Sequence, residues 1–507
     1  MLDITVFCSG ALVMILEMVG GRLLAPHVGT SAIVWTSIIG VVLSFLALGA
    51  WAGGRYADKN LSARGLARAL SLAGLGSGCT ALFHSFIGES AITLFGNIYG
   101  AAVAGAVGIF GLPAFFFGMI TPYVIRLRIA AISTAGATVG RLYALSTAGS
   151  ILGTFLGGFI LISWFSSTTI LWGITVLTLG LSLCNYPKNY LPRCLAILIF
   201  GILGVYNIYQ SGNSANLGKR YIESPYNIIR IIEGTDYRHG GKPVRLMATD
   251  PGYTQSGILI NEPEKLYFDY TRFYALGPFH NPQAQKILML GGGGYSVPKW
   301  LMSGKSGLEN PKDLDLTVVE IDPAMTKTAK ELFNLQDDSR LHIIHEDGRL
   351  FLNGQTEKFD LIFMDVFNSH YSIPFHLGTR QAMEKLYNTL APDGILLMNV
   401  ISALSGKDGR LFRSIYAAME NYFPEIKVYA VSHPGRPDEV QNIIIEAFKS
   451  STHLAKTIPN LRGMDPDSEE IRKLTAHLYK GKIERDMPPL DDDFAPVDRY
   501  ALMLTAQ

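Results

Sequence analysis

The chain has 507 residues, 43 Lys and Arg against 42 Asp and Glu, and 49% hydrophobic residues, a balance that excludes intrinsic disorder, a collagen-like repeat and a small disulfide scaffold. The average hides a split: residues 1–210 carry 10 basic and 4 acidic side chains, and residues 211–507 carry the remaining 33 and 38, a net charge of −5. The first part reads as membrane and the second as an acidic soluble domain, which offers no basic footprint for nucleic acid and points to a small-molecule ligand.

The N-terminus enters an apolar run with no basic region ahead of it and continues past Gly20-Gly21-Arg22 into more apolar sequence, so it reads as a retained span and not a cleaved signal peptide. A hydrocarbon core of about 30 Å needs roughly 20 apolar residues per helix. Such runs lie near 4–24, 32–54, 66–87, 98–125, 140–164, 167–186 and 192–209, six full spans and a marginal last one. Basic residues follow the second run (Arg55, Lys59, Arg64, Arg68), the fourth (Arg126, Arg128, with Arg141 opening the fifth) and the sixth (Lys188, Arg193), whereas the loops near Glu89 and Ser166 carry none. The positive-inside rule places the three basic loops in the cytoplasm. Dense small residues, as in Gly149 to Gly153 and Gly157-Gly158, predict close helix packing in lipid. Glu17 sits mid-span, where a lipid-facing carboxylate costs about 3 kcal/mol; a functional proton or substrate site, an interhelical hydrogen bond and a protonated carboxyl all stay open for it. Arg22, about 140° further round the helix, is expected to snorkel to the interface instead of pairing with Glu17.

The soluble half opens with a β-rich stretch at about 220–262. Apolar strand-like runs follow at Lys286–Leu290, Leu316–Val319, Leu341–His345, Leu361–Met364 and Ile395–Val400, separated by helical stretches. This alternation predicts a doubly wound parallel sheet. Two last strands, about 426–432 and 440–448, flank a turn at Pro434-Gly435-Arg436-Pro437 and predict a terminal antiparallel hairpin.

In such sheets ligands bind at the carboxyl ends of the strands. Gly291-Gly292-Gly293-Gly294-Tyr295-Ser296 follows the first strand and precedes a helix with Pro298 near its first turn, so bare backbone can approach a cofactor. Glu320 closes the second strand, placed like an acid that binds ribose hydroxyls; Asp347 ends the third and Asp365 the fourth. The glycine run departs from G-x-G-x-x-G, because from Gly291 the third glycine position is Ser296 and from Gly292 it is Val297, which weakens a dinucleotide reading.

These residues resemble the spermidine synthases, and more closely the membrane-fused spermidine-synthase-like proteins of bacteria. The resemblance covers about 220–450 and rests on Glu223-Ser224-Pro225-Tyr226, the Gly291–Gly294 loop, Val319-Glu320-Ile321-Asp322, Glu346-Asp347-Gly348 and Met364-Asp365, with Leu490-Asp491-Asp492-Asp493-Phe494-Ala495-Pro496-Val497 and the apolar spans resembling the fused subgroup. It implies a multi-span α-helical membrane domain (1–210, six or seven spans), a linker and small β-rich segment (211–262), and an α/β class I methyltransferase-like, Rossmann-like catalytic domain (263–507). It also implies S-adenosylmethionine or its decarboxylated form as substrate, with Glu320 on the ribose, Asp347 near the adenine amine and Gln255 lining the nucleoside site. No metal and no further cofactor is expected: all four cysteines, Cys8, Cys79, Cys184 and Cys194, fall in apolar segments, leaving the soluble half no cysteine zinc site.

The departures from that family are informative. Aminopropyltransferases hold the cationic amine of the decarboxylated substrate with Asp in a G-G-G-D-G loop, where this chain has Gly294. Their D-S-S-D loop becomes Asp365-Val366-Phe367-Asn368; their acceptor-binding Gln aligns with Asn399 and a later Tyr with His433, while Tyr270 is kept. A polyamine is a chain of ammonium groups, each costing several kcal/mol if desolvated without a carboxylate, so the polyamine site reads as dismantled. A pocket without the loop acid should admit intact S-adenosylmethionine, whose own carboxylate can displace the sulfonium at its γ carbon to give homoserine lactone and 5′-methylthioadenosine. A lyase of this kind is the reading taken, with Asp365 and Tyr270 holding the α-amino group and Asn368 a weaker candidate.

The alternatives are an aminopropyltransferase whose missing acids come from Asp491, Asp492 or Asp493 folding over the pocket, a polyamine or product transporter with a sensing domain, and a methyltransferase acting on a lipid or membrane partner. His342 and His345 fall on opposite faces of a strand and are no ligand pair; His370 and His376 lie in a loop, 366–379, that could close over the site, surface placement being the plainer alternative. Expected partners are a small molecule and the lipid bilayer, with no nucleic acid; a homo-oligomer is left open. The expected location is the bacterial inner membrane with the soluble domain cytoplasmic, where the substrate is made. Seven full spans with basic loops inside would put that domain outside, so either 192–209 lies in the interface or re-enters, the preferred reading, or the stretch 91–127 contains an additional break.

Overall fold

Long apolar runs satisfy their backbone polar groups internally as helices, and among the described residues the first 213 positions do so seven times. The computed structural model describes residues 1–29, 31–129, 135–188, 190–213, 219–237, 240–249, 253–367, 374–450 and 469–501. Contacts divide them into a helical unit, Met1–Leu217 with Glu223–Ile228, and a second unit, Gly218–Ile222 with Ile229–Gln507.

Six helices of the first unit are long and apolar enough to cross a membrane: α1 (Leu2–Val28), α2 (Ala32–Lys59), α3 (Ala63–Phe95), α4 (Ile98–Arg128), α5 (Ala135–Trp164) and α6 (Ser167–Asn185). A seventh, α7, spans Leu191–Asn213. Ser62, Asn97 and Ser166 cap α3, α4 and α6 by accepting from backbone amides one turn in, as their short polar side chains favour. Glycines set the crossings. A Cβ on Gly149 would stand 2.0 Å from the Phe7 carbonyl oxygen and one on Gly153 2.3 Å from that of Ala11, while at the α2/α4 crossing Gly49 would meet the Phe115 oxygen at 2.0 Å. The glycine-dense runs are therefore packing surfaces, and at Leu156–Leu161 α5 widens into a π turn.

One end of this unit collects ion pairs: Asp3 with Arg141 (2.7 Å) and Arg128 (3.2 Å), and Asp58 with Arg126 (2.8 Å). Asn185 at the end of α6 donates to Thr5 there. From that end α7 runs back along α6, with Arg193 donating to the Ser182 and Tyr186 carbonyls and Phe200 packing on Trp172 (5.8 Å between rings). The stretch 192–209, which the sequence reading puts in the interface or in a re-entrant segment, lies in one continuous helix that runs antiparallel to α6. Arg22 also departs from expectation. It donates to the Ile162 and Ser224 carbonyls and lies 3.9 Å from the Glu223 carboxylate, because a tertiary acceptor was within reach.

The second unit begins with a four-stranded sheet, β1 (Lys219–Glu223), β2 (Ile228–Asp236), β3 (Lys242–Ala248) and β4 (Ser256–Leu259), in that order. Short helices α8 (Asp269–Arg272) and α9 (Leu276–His280) lead to β5 (Lys286–Leu290), α10 (Ser296–Met302), β6 (Asp315–Val319), α11 (Pro323–Leu332), β7 (Leu341–Ile344), α12 (Gly348–Gly354), β8 (Phe359–Phe367), α13 (Arg380–Thr389), β9 (Leu390–Ser402), α14 (Arg410–Met419), β10 (Glu425–Ala430) and β11 (Gln441–Phe448). The seven-stranded sheet has the order β10-β11-β9-β8-β5-β6-β7. Strands β5 to β9 are parallel and the last two form the expected antiparallel hairpin. The central strand β5 is apolar from Ile287 to Leu290 because both of its faces are buried: Ile287 and Met289 join Trp300 and Phe333 on one side, Leu288 and Leu290 join Phe351 and Met364 on the other. Beyond α15 (Glu469–Ala476) the chain lies along β10, where Tyr479 N–H donates to Val428 and Ala430 N–H to His477, and it ends in α16 (Val497–Ala501).

Candidate active site

The carboxyl edge of the parallel strands carries the unusual residues in one row, since the order β8-β5-β6-β7 places Asp365, the glycine loop, Glu320 and Asp347 side by side. The loop leaves β5 with Gly291 at φ +89° and Gly293 at φ +52°, a region that favours glycine. A Cβ on Gly291 would lie 2.5 Å from the Asp365 carbonyl oxygen. Tyr295 also adopts positive φ (54°), held by burial and a 2.6 Å hydrogen bond to Thr326.

Glu320 is buried beneath this loop, accepting from the Gly292 (2.9 Å), Gly293 (3.1 Å) and Asp322 (3.0 Å) amides. Burial pushes its carboxyl above the ordinary range, and those amides oppose the shift by favouring the charged form. Ser256 on β4 accepts from the Gly294 amide (2.9 Å). Asp347 caps α12 through the Arg349 (2.9 Å) and Leu350 (3.1 Å) amides, and its other oxygen lies 3.0 Å from His376 Nε2.

At the other end, the β8–β9 register slips between Met364 and Phe367, an irregularity that re-aims a side chain. Asp365 there accepts from Tyr270 (3.1 Å) and from Asn399 Nδ2 (3.0 Å), while Asn442 donates to Asn399 Oδ1 (3.0 Å). Because Asn399 receives that bond on its oxygen, its amide nitrogen faces Asp365. Burial raises the Asp365 carboxyl against these bonds, and burial with the nearby carboxylate raises the Tyr270 hydroxyl.

A narrow cleft lies between, walled by the glycine loop, Gln255, Ser256, Phe268, Tyr270 and Asp365 among others. Of the expected site residues it gathers Gln255, Tyr270, Gly291, Gly292, Gly293 and Asp365. Gly294, Glu320 and Asp347 stand off its wall, Glu320 turned under the loop and Asp347 beyond it at the start of α12; Asn368 and His370 lie outside the described residues. Among the described residues no group of His, Cys, Asp and Glu could hold a metal. His342 instead faces Asp315 (3.5 Å) and His345 meets Thr326 (2.9 Å). Sequence reasoning missed Ser256, Asn442 and the engagement of His376; each acts on a residue far away in the chain, and no local motif marks it.

Residues 272–456 match the spermine/spermidine synthase domain. A polyamine aminopropyltransferase of Vibrio vulnificus is 30% identical over 252 residues, covering 48% of this chain and 75% of that protein. The chain belongs to the polyamine aminopropyltransferase family. A second aminopropyltransferase, from Clostridium beijerinckii, is 27% identical over 36% of the chain and 64% of its own length. The spermidine synthase of Thermotoga maritima aligns over 56% of this chain and 87% of its own with 20% identity and a TM-score of 0.36.

Within this aminopropyltransferase fold the departures have physical correlates. A Cβ at Gly294 would sit 2.9 Å from Ser256 Cβ and 3.2 Å from the Phe333 ring, so a side chain there needs the loop or its neighbours to move. His433 lies 3.5 Å from Glu439, off the cleft wall. The late acids do not fold over the cleft: Asp491 pairs with Arg380 (2.5 Å), Asp492 with Arg349 and Thr379 (both 2.6 Å), and Asp493 is exposed. Their cationic partners, Arg349 and Arg380, stand on α12 and α13.

Proposed function

We propose that the protein, anchored in the bacterial inner membrane with its catalytic domain (263–507) cytoplasmic, cleaves the sulfonium of S-adenosylmethionine to release 5′-methylthioadenosine. The observation that carries this reading is Gly294, where a side chain such as the loop carboxylate of a polyamine-forming site would need Ser256 or the loop to move, together with Asp365 as the one carboxylate on the cleft wall among the described residues. With no acid at 294 to repel it, the methionine carboxylate can enter. Asp365, fixed by Tyr270 and the Asn399–Asn442 pair, accepts the α-ammonium and folds the chain so that a carboxylate oxygen approaches the γ carbon. The new C–O bond forms as the C–S bond breaks, its electron pair passing to sulfur; the products are neutral methylthioadenosine and homoserine lactone with its ammonium intact, and no proton is consumed. Tethering the nucleophile supplies an effective molarity that can exceed about 10⁵ M. Glycine-loop backbone and Gln255 would border the nucleoside, with Glu320 at the ribose and Asp347 at the adenine amine.

The second reading is aminopropyl transfer from decarboxylated S-adenosylmethionine to putrescine, favoured by the family and by the retained Asp365 and Tyr270. Mass spectrometry of the purified protein with S-adenosylmethionine alone, and with the decarboxylated form plus putrescine, separates the two. Expected are methylthioadenosine with homoserine lactone or homoserine from the first mixture, abolished in Asp365→Ala. Spermidine from the second mixture with the first inert would replace the lyase by the transferase.

A further inference from the structure

The C-terminal segment that fails to supply acids to the cleft is attached to the opposite end of the row. The Asp492 carboxylate bridges two buried donors, Thr379 Oγ1 (2.6 Å) and Arg349 Nη2 (2.6 Å). Thr379 is fully buried, and the Arg349 side chain is only 13% exposed. A second nitrogen of that guanidinium, Nη1, donates to the His376 carbonyl (2.8 Å) and to Thr379 Oγ1 (3.2 Å). His376 in turn presents Nε2 to Asp347. Leu377, next in the chain, packs over Gly348 at 3.5 Å from where its Cβ would be. The segment is also held by its backbone, since Arg380 N–H donates to the Leu490 carbonyl and Asp492 N–H to Gln381.

Plain docking of a terminal segment needs apolar contact, and a charge-assisted bridge threaded through a buried arginine to one backbone carbonyl is more than that requires. With Nε donating to Asn353 Oδ1 (3.3 Å) as well, the forked guanidinium holds four acceptors and fixes their relative positions. We propose that Asp492, acting through Arg349 and Thr379, is a positioning residue that sets His376 against Asp347 at the nucleobase end of the site. This rests on the nucleoside-binding reading above. Asp492 touches neither substrate nor reacting atoms; removing it releases the His376 backbone, leaves Arg349 buried without its anion, and lets the Asp347 carboxylate turn.

Calorimetric titration of methylthioadenosine into the detergent-solubilised full chain tests it, together with hydrogen exchange at the Leu377 and Gly378 amides without ligand. Asp492→Ala should weaken binding roughly tenfold and His376→Ala by a comparable factor, with the double variant no weaker than His376→Ala alone, the signature of residues acting in series. Asp492→Asn, which keeps the Thr379 bond and is the safer variant for folding, should fall between. Exchange at Leu377 and Gly378 should quicken in both Asp492 variants. Wild-type affinity in Asp492→Ala, additive losses in the double variant, or unchanged exchange would overturn the proposal. A wild-type chain that binds no methylthioadenosine would overturn the nucleoside reading instead, and the exchange comparison would still decide whether Asp492 restrains His376.

Discussion

In the proposed reaction Asp365 is the residue that meets the ammonium, and burial raises its carboxyl above the ordinary range. A cationic ligand favours the charged form, so below the raised value binding must release a proton. Affinity for S-adenosylmethionine should therefore fall as pH is lowered through that range, while methylthioadenosine, which has no ammonium, should bind independently of it. Asp365→Asn should abolish the dependence and weaken S-adenosylmethionine by about 2 kcal/mol, the usual worth of a charge-assisted bond; calorimetry in buffers of different ionisation enthalpy reads both. Glu446 shows the same burial without a ligand. It is fully buried on β11, hydrogen-bonded by Tyr429 (3.0 Å), 3.6 Å from His280, and near Lys427 and Glu425, and burial raises it from 4.5 to about 7. Since the folded state holds the proton more tightly, this contribution is complete below pH 4.5, is lost as pH rises and is gone above about 7. Glu446→Gln does not titrate, so its stability relative to wild type should rise across that window by about 3 kcal/mol. A thermal-midpoint difference that stays flat with pH would remove Glu446 as its source.

Among elements, α1 and α5 show how directly composition becomes packing. With the Phe7 oxygen 2.0 Å from a notional Gly149 Cβ, Gly149→Val cannot be accommodated without separating the helices. Its expected effect is loss of monodisperse, detergent-stable protein, whereas Gly140→Val, at a glycine with open space around it, should be neutral in the same chromatographic assay. The glycine pattern was legible in the sequence because only close approach in lipid explains so many small residues. The parallel strands were legible for a related reason: burial on both faces demands unbroken apolar runs, and Ile287 to Leu290 is one. The strand-end residues followed from the topology of such sheets. The remainder depended on pairs distant in the chain. Arg349 and Asp492 are 143 residues apart and Arg380 and Asp491 are 111 apart, so nothing local announced that the late acids were already committed, nor that His376 would meet Asp347. The interfacial reading of 192–209 came from the need to keep the C-terminal domain inside with seven spans, and no local signal announced that the Arg193 guanidinium would be absorbed by the carbonyls closing α6.

For the whole molecule, the path of α7 decides what the membrane separates. The basic ends of α2, α4 and α6 gather with the N-terminus, as the Asp3 and Asp58 ion pairs require, and α7 starts there and runs antiparallel along α6. Glu223, which groups with the helical unit, accepts from the Ser167 amide (2.9 Å) and hydroxyl (3.0 Å) at the opposite end of α6 from Asn185. One reporter inserted between Lys188 and Tyr190 and another fused after Gln507 should therefore report opposite sides of the membrane. Reporters on the same side would mean that α7 does not cross. The absolute sign carries a second argument. Nine basic residues in the three loops favour a cytoplasmic position for that end of the bundle, whereas the proposed substrate, a sulfonium amino acid with three charged groups, faces a penalty of several kcal/mol at the bilayer centre and is supplied from the cytoplasm. The loop bias is a tendency of orientation, while a catalytic domain without its substrate has no activity to tether. The Gln507 reporter is accordingly expected in the cytoplasm and the Lys188 reporter outside; the reverse pair would require that S-adenosylmethionine be carried across the membrane to the domain.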